Sequence, residues 1–462
     1  MRLKPTLLAL ALAAALPAAG AMDLLDVWRA AAAHDPEFAA ARAAYDAGEA
    51  RRAEGDALWR PTVALQAGAA YATQENSIRG AQFSAPGFGR SAGVDFNTSV
   101  TGGISTRYGL SLRQPLYNRE LDARKQQLKL AAGAAGEEWR AAQQQLMLRA
   151  AQGYFDVVLA AQQVRLLKEQ ERAVEQARVE AEDRFRIGDR PVTDVHEATA
   201  RADALRAQRL AAESELEMRR TQLADLIGQP VQGELAAPAA SGTAPREPLD
   251  PLDAWLARAA SDNPQVLMAR AQAASAEQEI RKTSTALAPT VDLVAQVGRD
   301  YLSGSGAYGN ASNAANQAAL GVQLNIPLYT GGMRGARNTE NEALARKALA
   351  DLDRARLQAQ QQARAAWLDL SVARSRITAL ESGWRASLAR LDATRVGLQA
   401  GDRTTLDLLN AQNDAAAAEL ALLQARVQQA MQRLRLAAVA GALDESRLAA
   451  VNHELAAPPA TR

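Results

Sequence analysis

The chain has 462 residues, a formal net charge of +1 and no cysteine. The near-neutral balance leaves no electrostatic footprint for nucleic acid, and the missing thiols exclude disulfides, a cysteine nucleophile and Cys-based metal sites. Aromatic residues make up only 4%, which fits long Ala-rich helices better than one large globular core.

Residues 1–21 read as a secretory signal peptide. Arg2 and Lys4 precede an apolar run from Leu7 to Leu16, and Ala19-Gly20-Ala21 supplies the small residues of a cleavage site. The run is too short to span a bilayer, and no later stretch has the length and apolarity of a transmembrane helix. Export of the mature protein is therefore expected.

A short helix is expected over Leu24 to Ala33, after which Asp35 and Pro36 restart the chain as N-cap and first helical residue. Asn263 and Pro264 repeat that restart, and the two helices so opened stop before Pro61 and Pro289. Alternation of period two follows in both places. Val63, Leu65, Ala67, Ala69 and Tyr71 share one face, as do Val291, Leu293, Ala295 and Val297. After a loop rich in Gly, Ser and Asn, Tyr108, Leu110 and Leu112 alternate with small or polar residues, as do Leu320, Val322, Leu324 and Ile326. The spacing predicts β-hairpins at 61–114 and 289–326, each strand apolar on one face in the manner of transmembrane β-strands.

No proline interrupts the stretch from Pro115 to Gly188, which predicts a helix over 116–187, followed by a return helix over 195–227. A helix of that size would be about 105 Å long, far beyond ordinary globular lengths. It has a twin. Pro115-Leu116-Tyr117 recurs as Pro327-Leu328-Tyr329, Tyr154-Phe155-Asp156 as Trp367-Leu368-Asp369, and Gly188-Asp189-Arg190 as Gly401-Asp402-Arg403. The chain is therefore a duplication. Its first repeat is 22–228, its second 263–441 with its own long and return helices. A proline-rich linker (229–262) joins them, and a tail (442–462) follows. Linker, first short helix and tail are expected to gather as an equatorial belt.

Four strands cannot close a barrel in lipid, and open sheet edges are not tolerated there. The chain must therefore share a barrel with copies of itself: two copies give eight strands with a filled interior, three give twelve and room for a channel. Catalytic patterns are absent by context. Gly304 to Gly309 fits a dinucleotide pattern and Gly89 to Gly93 a nucleophile-elbow pattern, but both are expected in loops between strands. His34, His196 and His453 lack metal-ligand spacing, so neither metal nor cofactor is expected and the sequence argues against an enzyme.

The two helical turns carry more. Gly188 and Gly401 sit where left-handed C-cap residues belong. Asp194 has two readings: a helix N-cap with Glu197 as its capping-box partner, or a charge that pairs with Arg403 of an adjacent hairpin around an axis. An exposed pair of that kind is worth only about 0.2–1 kcal/mol, which suits a weak latch repeated around a ring.

Together these residues resemble the TolC family of outer-membrane channel proteins. The likeness rests on the duplication, Tyr329 before Gly331-Gly332-Met333, Tyr154-Phe155-Asp156, Arg184-Phe185-Arg186-Ile187-Gly188 leading to Thr193-Asp194-Val195, and Gly401-Asp402-Arg403-Thr404 leading to Asp407. It implies a mostly α fold with transmembrane β-hairpins: a homotrimer whose twelve-stranded barrel continues into a twelve-helix α-barrel. It also implies an exit duct of the outer membrane for type I secretion or multidrug efflux. A periplasmic adaptor (membrane fusion protein) and an inner-membrane pump would dock at a tip formed by Gly188, Asp189, Arg190, Gly401 and Asp402. The family's gate falls on Thr193, Asp194 and Arg403, and a tyrosine used in that latch is replaced by Leu398. An acidic constriction ring falls on Asp407, with Asn410 where a second acid can stand, which lowers the ring's charge. The missing N-terminal Cys resembles the unlipidated, secretion-type branch. The competing expectation is a periplasmic adaptor or a structural coiled-coil protein, which would carry one helical hairpin between soluble β-domains.

Overall fold

A computed structural model describes residues 22–87, 89–189, 191–231, 233–238, 249–285, 288–306 and 309–456. The expected signal peptide, Arg190, the linker prolines 245 and 248, Ala307-Tyr308 and the end of the tail lie outside the described residues. The chain divides into two compact units. One comprises residues 1–47, 134–270 and 349–462, the other 48–133 and 271–348.

The smaller unit is built on one antiparallel sheet of β1 (Thr62–Ala85), β2 (Gly89–Tyr117), β4 (Thr290–Gly306) and β5 (Gly309–Asn325), in the order β1-β2-β4-β5. The strands run 24, 29, 17 and 17 residues. The segments expected as Gly/Ser/Asn loops are thus mostly strand. Their polar residues keep pairing beyond the apolar stretch, with register shifts between Ala72 and Gln74 and between Ile78 and Ala81. The two glycine patterns consequently lie on strands, Gly89–Gly93 opening β2 and Gly304–Gly306 ending β4, and neither has a strand–turn–helix setting.

Register puts the apolar residues of all four strands on one face. Leu65 pairs with Leu110, Leu110 with Val297, and Val297 with Ala318. Leu65, Tyr71 and Leu320 on that face are 73%, 78% and 76% exposed, so no core formed by the described residues covers it. The opposite face is polar. There Arg113 reaches Asp292 at 2.6 Å and Arg107 pairs with Asp300, each pair joining β2 to β4. Gly109 faces Gly298 between them, and a Cβ on Gly109 would meet the Val297 carbonyl at 3.0 Å. Both outer strands, β1 and β5, have one edge without a ladder partner among the described residues.

Helices leave the sheet at the end away from the hairpin turns. α3 (Arg119–Arg186) does not begin directly after Pro115, because β2 runs on to Tyr117 and Asn118 caps the helix, accepting the Glu120 and Leu121 amides at 3.0 and 3.2 Å. α7 (Met333–Ala400) starts later than its twin would predict, because Gly331 and Gly332 adopt φ +62° and +81°, outside the helical region. Each of these helices has 68 residues.

The larger unit holds the core. α1 (Leu24–His34), the start of α2 (Pro36–Ala57), α4 (Val192–Ile227), α5 (Leu252–Asp262), the start of α6 (Pro264–Ser284), α8 (Thr405–Val439) and α9 (Glu445–His453) lie here with most of α3 and α7. Leu24, Val27, Leu146, Tyr154, Phe155, Leu223, Leu434 and Leu448 form one buried cluster. A two-stranded ladder of β3 (Ala237–Pro238) and β6 (Leu455–Ala456) ties the linker to the C-terminal segment.

The duplication is visible atom by atom. Tyr154 donates its hydroxyl to the Ala236 carbonyl at 2.9 Å, and its twin Trp367 donates Nε1 to the Asp250 carbonyl at 3.1 Å. Burial pushes the Tyr154 phenol well above its ordinary pKa. Asp35 and Asn263 are both buried restart residues whose side chains accept the amide two residues on. Asp35 is also paired with Arg149, whereas Asn263 donates to the Val439 carbonyl at 2.8 Å.

Candidate gate at the helical turns

Two turns in the larger unit reverse the chain between a long helix and its return partner. α3 closes in a Schellman motif: the Asp189 amide donates to the Arg184 carbonyl and the Gly188 amide to Phe185, both at 2.9 Å. α7 closes the same way, Asp402 to Gly397 at 2.9 Å and Gly401 to Leu398 at 3.2 Å. The reversal needs a left-handed residue, and Gly188 and Gly401 supply it at φ +81° and +82°.

The helix starts that follow are not alike. Pro191 is the N-cap of α4 and makes no side-chain cap bond. Asp194 is therefore not the N-cap that one reading expected; it is the third helical residue, and α4 begins at Val192 rather than 195. Proline fits here because its fixed φ suits a helix entry and the missing N–H is one the helix would not use. Glu197, expected as the capping-box acid, bonds Arg201 at 3.2 Å instead.

The second turn has a complete box. Thr404 Oγ1 accepts the Asp407 amide at 3.1 Å, and Asp407 Oδ2 accepts the Thr404 amide at 3.0 Å and its hydroxyl at 2.9 Å. Those bonds, with the charges of Arg403 and Arg390, hold the Asp407 carboxyl below the usual aspartate range.

The turns meet in a cleft of about 270 Å³ whose lining includes Arg184, Asp194, Arg201, Thr404, Leu406 and Leu409. Of the sequence-derived candidates, this brings Asp194 beside the start of α8, with Asp407 three residues beyond Thr404. Arg403 is held differently. Its stem lies over Gly397, where a Cβ would come 2.7 Å from Arg403 Cγ. Asn410 Oδ1 accepts from Arg201 at 3.3 Å. Glu197 and Asn410 occupy equivalent places in the two repeats, so one arginine bonds both.

Arg201 and Gly397 were not among the sequence candidates. The only signal was the gap of 213 between Glu197 and Asn410, which marks equivalent positions but not their shared donor. Above the cleft, Gln170 bonds Asn413 at 3.0 Å, Arg390 bonds Asp414 at 2.8 Å, and Arg165 pairs with Glu419. Among the described residues no cluster of His, Asp or Glu is placed to hold a metal ion. No described helix is long and apolar enough to cross a membrane.

Comparison with known proteins bears on both repeats. A family model described as outer membrane efflux protein matches residues 27–229 and 255–442. The chain is 28% identical to the proteases secretion protein PrtF of Dickeya chrysanthemi, over 96% of this chain and 94% of that one. It is 28% identical to the alkaline protease secretion protein AprF of Pseudomonas aeruginosa, over 96% and 89%. It is 27% identical to outer membrane protein TolC of Escherichia coli, over 100% and 90%. In fold it resembles the outer membrane protein VceC of Vibrio cholerae (TM-score 0.66, 20% identity, 90% of this chain and 96% of that one). It likewise resembles the open state of the MtrE outer membrane channel of Neisseria gonorrhoeae (TM-score 0.68, 21% identity, 91% and 90%). These proteins are channels and transport components rather than enzymes, and the adaptor alternative finds no support among them. With both of its repeats matched, the chain belongs to the outer membrane efflux protein family of TolC-like channels.

Proposed function

We propose that this protein is the outer-membrane exit duct of a tripartite export system, working as a homotrimer with a periplasmic adaptor and an inner-membrane pump. The observation that carries the reading is the open sheet. Four strands expose an apolar face to the outside and leave an edge on β1 and another on β5. In lipid such edges must be paired, and β5 of one copy beside β1 of the next closes a ring. Three copies give twelve strands, wide enough for a passage lined by the polar face. The relatives named for protease secretion favour folded or unfolded polypeptide as cargo, and the same duct serves efflux in other members of the family.

In this reading the helical turns form the closed end. Thr193, Asp194 and Arg403 are the gate, with Asp194 of one hairpin pairing with Arg403 of the adjacent one. Asp407 and Asn410 line the constriction, and Gly188, Asp189, Arg190, Gly401 and Asp402 face the adaptor. The repeat boundaries at 22–228 and 263–441, with the equatorial segments at 229–262 and 442–462, belong to the same proposal.

The test is physical. The full chain, purified from membranes in detergent, should size as three copies and form discrete conductances in a planar bilayer. A water-soluble monomer without conductance overturns the duct.

A further inference from the structure

Within the apolar band of the sheet, β4 carries a charge that no described residue neutralises. Arg299 sits on β4 between Val297 and Tyr301, directly opposite Tyr108 of β2 and Asn316 of β5. These neighbours share its face, and none is acidic. The arginines of the polar face are treated differently, since Arg107 and Arg113 each pair with an aspartate of β4. No hydrogen bond or ion pair joins Arg299 to any described residue, and its side chain is exposed.

Height decides what it meets. Arg299 lies eight residues beyond Val291, at the hairpin-turn end of the aliphatic residues that β4 itself puts on this face, while Tyr71 of β1 and Ile104 of β2 pair farther toward the turns. At about 3.4 Å per residue that is about 27 Å along the strand, or about 21 Å of height at a tilt of about 40°. The lipid-facing band of a membrane barrel is about 25 Å tall and is bordered by aromatic rings. Arg299, with Tyr108 beside it and Tyr301 just beyond, therefore falls at the outer border of the band. Helices leave the opposite end of this sheet, and in this family they extend into the periplasm. The border in question faces the outer leaflet.

We propose that Arg299, flanked by Tyr108 and Tyr301, is a lipid site that holds the phosphate of an outer-leaflet lipid headgroup. A guanidinium at the hydrocarbon border needs an anion or water, and its planar fork matches two phosphate oxygens. Tyrosines at that level place a hydroxyl in the polar region and a ring against the acyl chains. One such site per chain gives three around a trimer. The inference rests on the membrane reading given under Proposed function, since it needs this face to meet lipid.

The experiment uses the full chain in detergent micelles, titrated with bis-phosphorylated lipid A and, separately, with the same lipid enzymatically dephosphorylated. The wild type should bind the phosphorylated form about tenfold more tightly. Arg299→Gln should lose that preference and Arg299→Lys should keep most of it. Excess inorganic phosphate should not displace the lipid, because the acyl chains contribute to binding. Equal affinity for both lipids in the wild type, or an unchanged preference in Arg299→Gln, overturns the site while leaving the duct intact. A chain that fails to enter lipid vesicles at all overturns the membrane reading, and the site with it.

Discussion

Gly397→Ala tests the gate without touching its charges. A Cβ at position 397 falls 2.7 Å from Arg403 Cγ, and carbon atoms settle at about 3.5–4.0 Å. The Arg403 stem must therefore withdraw by about 1 Å or change rotamer, and a rotamer change swings the guanidinium much further. The helix itself gains, since alanine in place of a helical glycine is worth about 0.5–1 kcal/mol. If each Asp194–Arg403 contact between adjacent hairpins is worth about 0.2–1 kcal/mol, three copies on one gate amount to about 0.6–3 kcal/mol. Losing them shifts the closed-to-open ratio by about 3- to 150-fold. The expected result is a trimer at least as heat-stable as the wild type whose planar-bilayer conductance is larger or more often open. Retained stability with wild-type conductance, measured beside a leaking Arg403→Ala control, refutes the role assigned to the Gly397 seat.

Three further outcomes follow from the same geometry. Replacing Asp194 and Arg403 together by alanine should leave a stable trimer with a leakier pore; unchanged conductance would return Asp194 to a purely structural role in α4. Asp407 is held below the ordinary carboxylate range, so its charge and its contribution to stability are present above the unfolded-state pKa and disappear only as pH falls through the lowered folded value. Cation preference should accordingly outlast the usual aspartate titration as pH is lowered and drop in Asp407→Asn, and a reversal potential blind to that substitution removes the ring. Gly441→Ala combines φ +67° with a Cβ 2.1 Å from the Asp262 carbonyl, whereas Gly401→Ala adds a Cβ in open space at φ +82°. Left-handed strain alone costs about 1–2 kcal/mol, so Gly401→Ala should lower the unfolding temperature modestly and Gly441→Ala far more. Equal shifts in calorimetry would show that the 441 contact relaxes.

Much of the fold was legible because it repeats. Periodicity, proline spacing and the twin motifs define two kinds of element, and a signal written twice is harder to mistake than one written once. The strand lengths were not legible. Between Gln74 and Val100 the apolar residues, Ile78 and Val94 among them, are scattered singly among Gly, Ser, Asn and charged residues, so no regular alternation marks a strand, yet the backbones pair. Nor did local sequence reveal Pro191 as the cap of α4, since Thr193-Asp194 looks the better one. Some contacts, in the site and in the sheet, join residues far apart in the chain. Arg201 and Asn410 are 209 apart, and Arg113 and Asp292 are 179 apart. One-dimensional pattern carries no information about which long side chain crosses between helices or strands. Gly397 belongs to the same class: its lack of a side chain matters only because Arg403 folds back over it.

The two turns show how a single residue divides the labour of a duplicated motif. Both read Gly-Asp-Arg and then, after three residues, Asp; Asp194 and Asp407 are equivalent and both stand third in their helices. What differs is the residue after Arg. Thr404 offers an amide and a hydroxyl, and the Asp407 carboxylate accepts from both. Pro191 offers neither, because its nitrogen carries no hydrogen and its ring no hydroxyl. The Asp407 carboxylate is thereby bonded to its own helix start, a placement that would suit the static ring proposed above. The Asp194 carboxylate is left to bonds other than a capping box, at the rim of a cleft shared with the second turn. The latch proposed above needs an acid that is not tied to its own helix start, and of these two equivalent aspartates it is Asp194, behind proline, that has no N-cap amide to accept from.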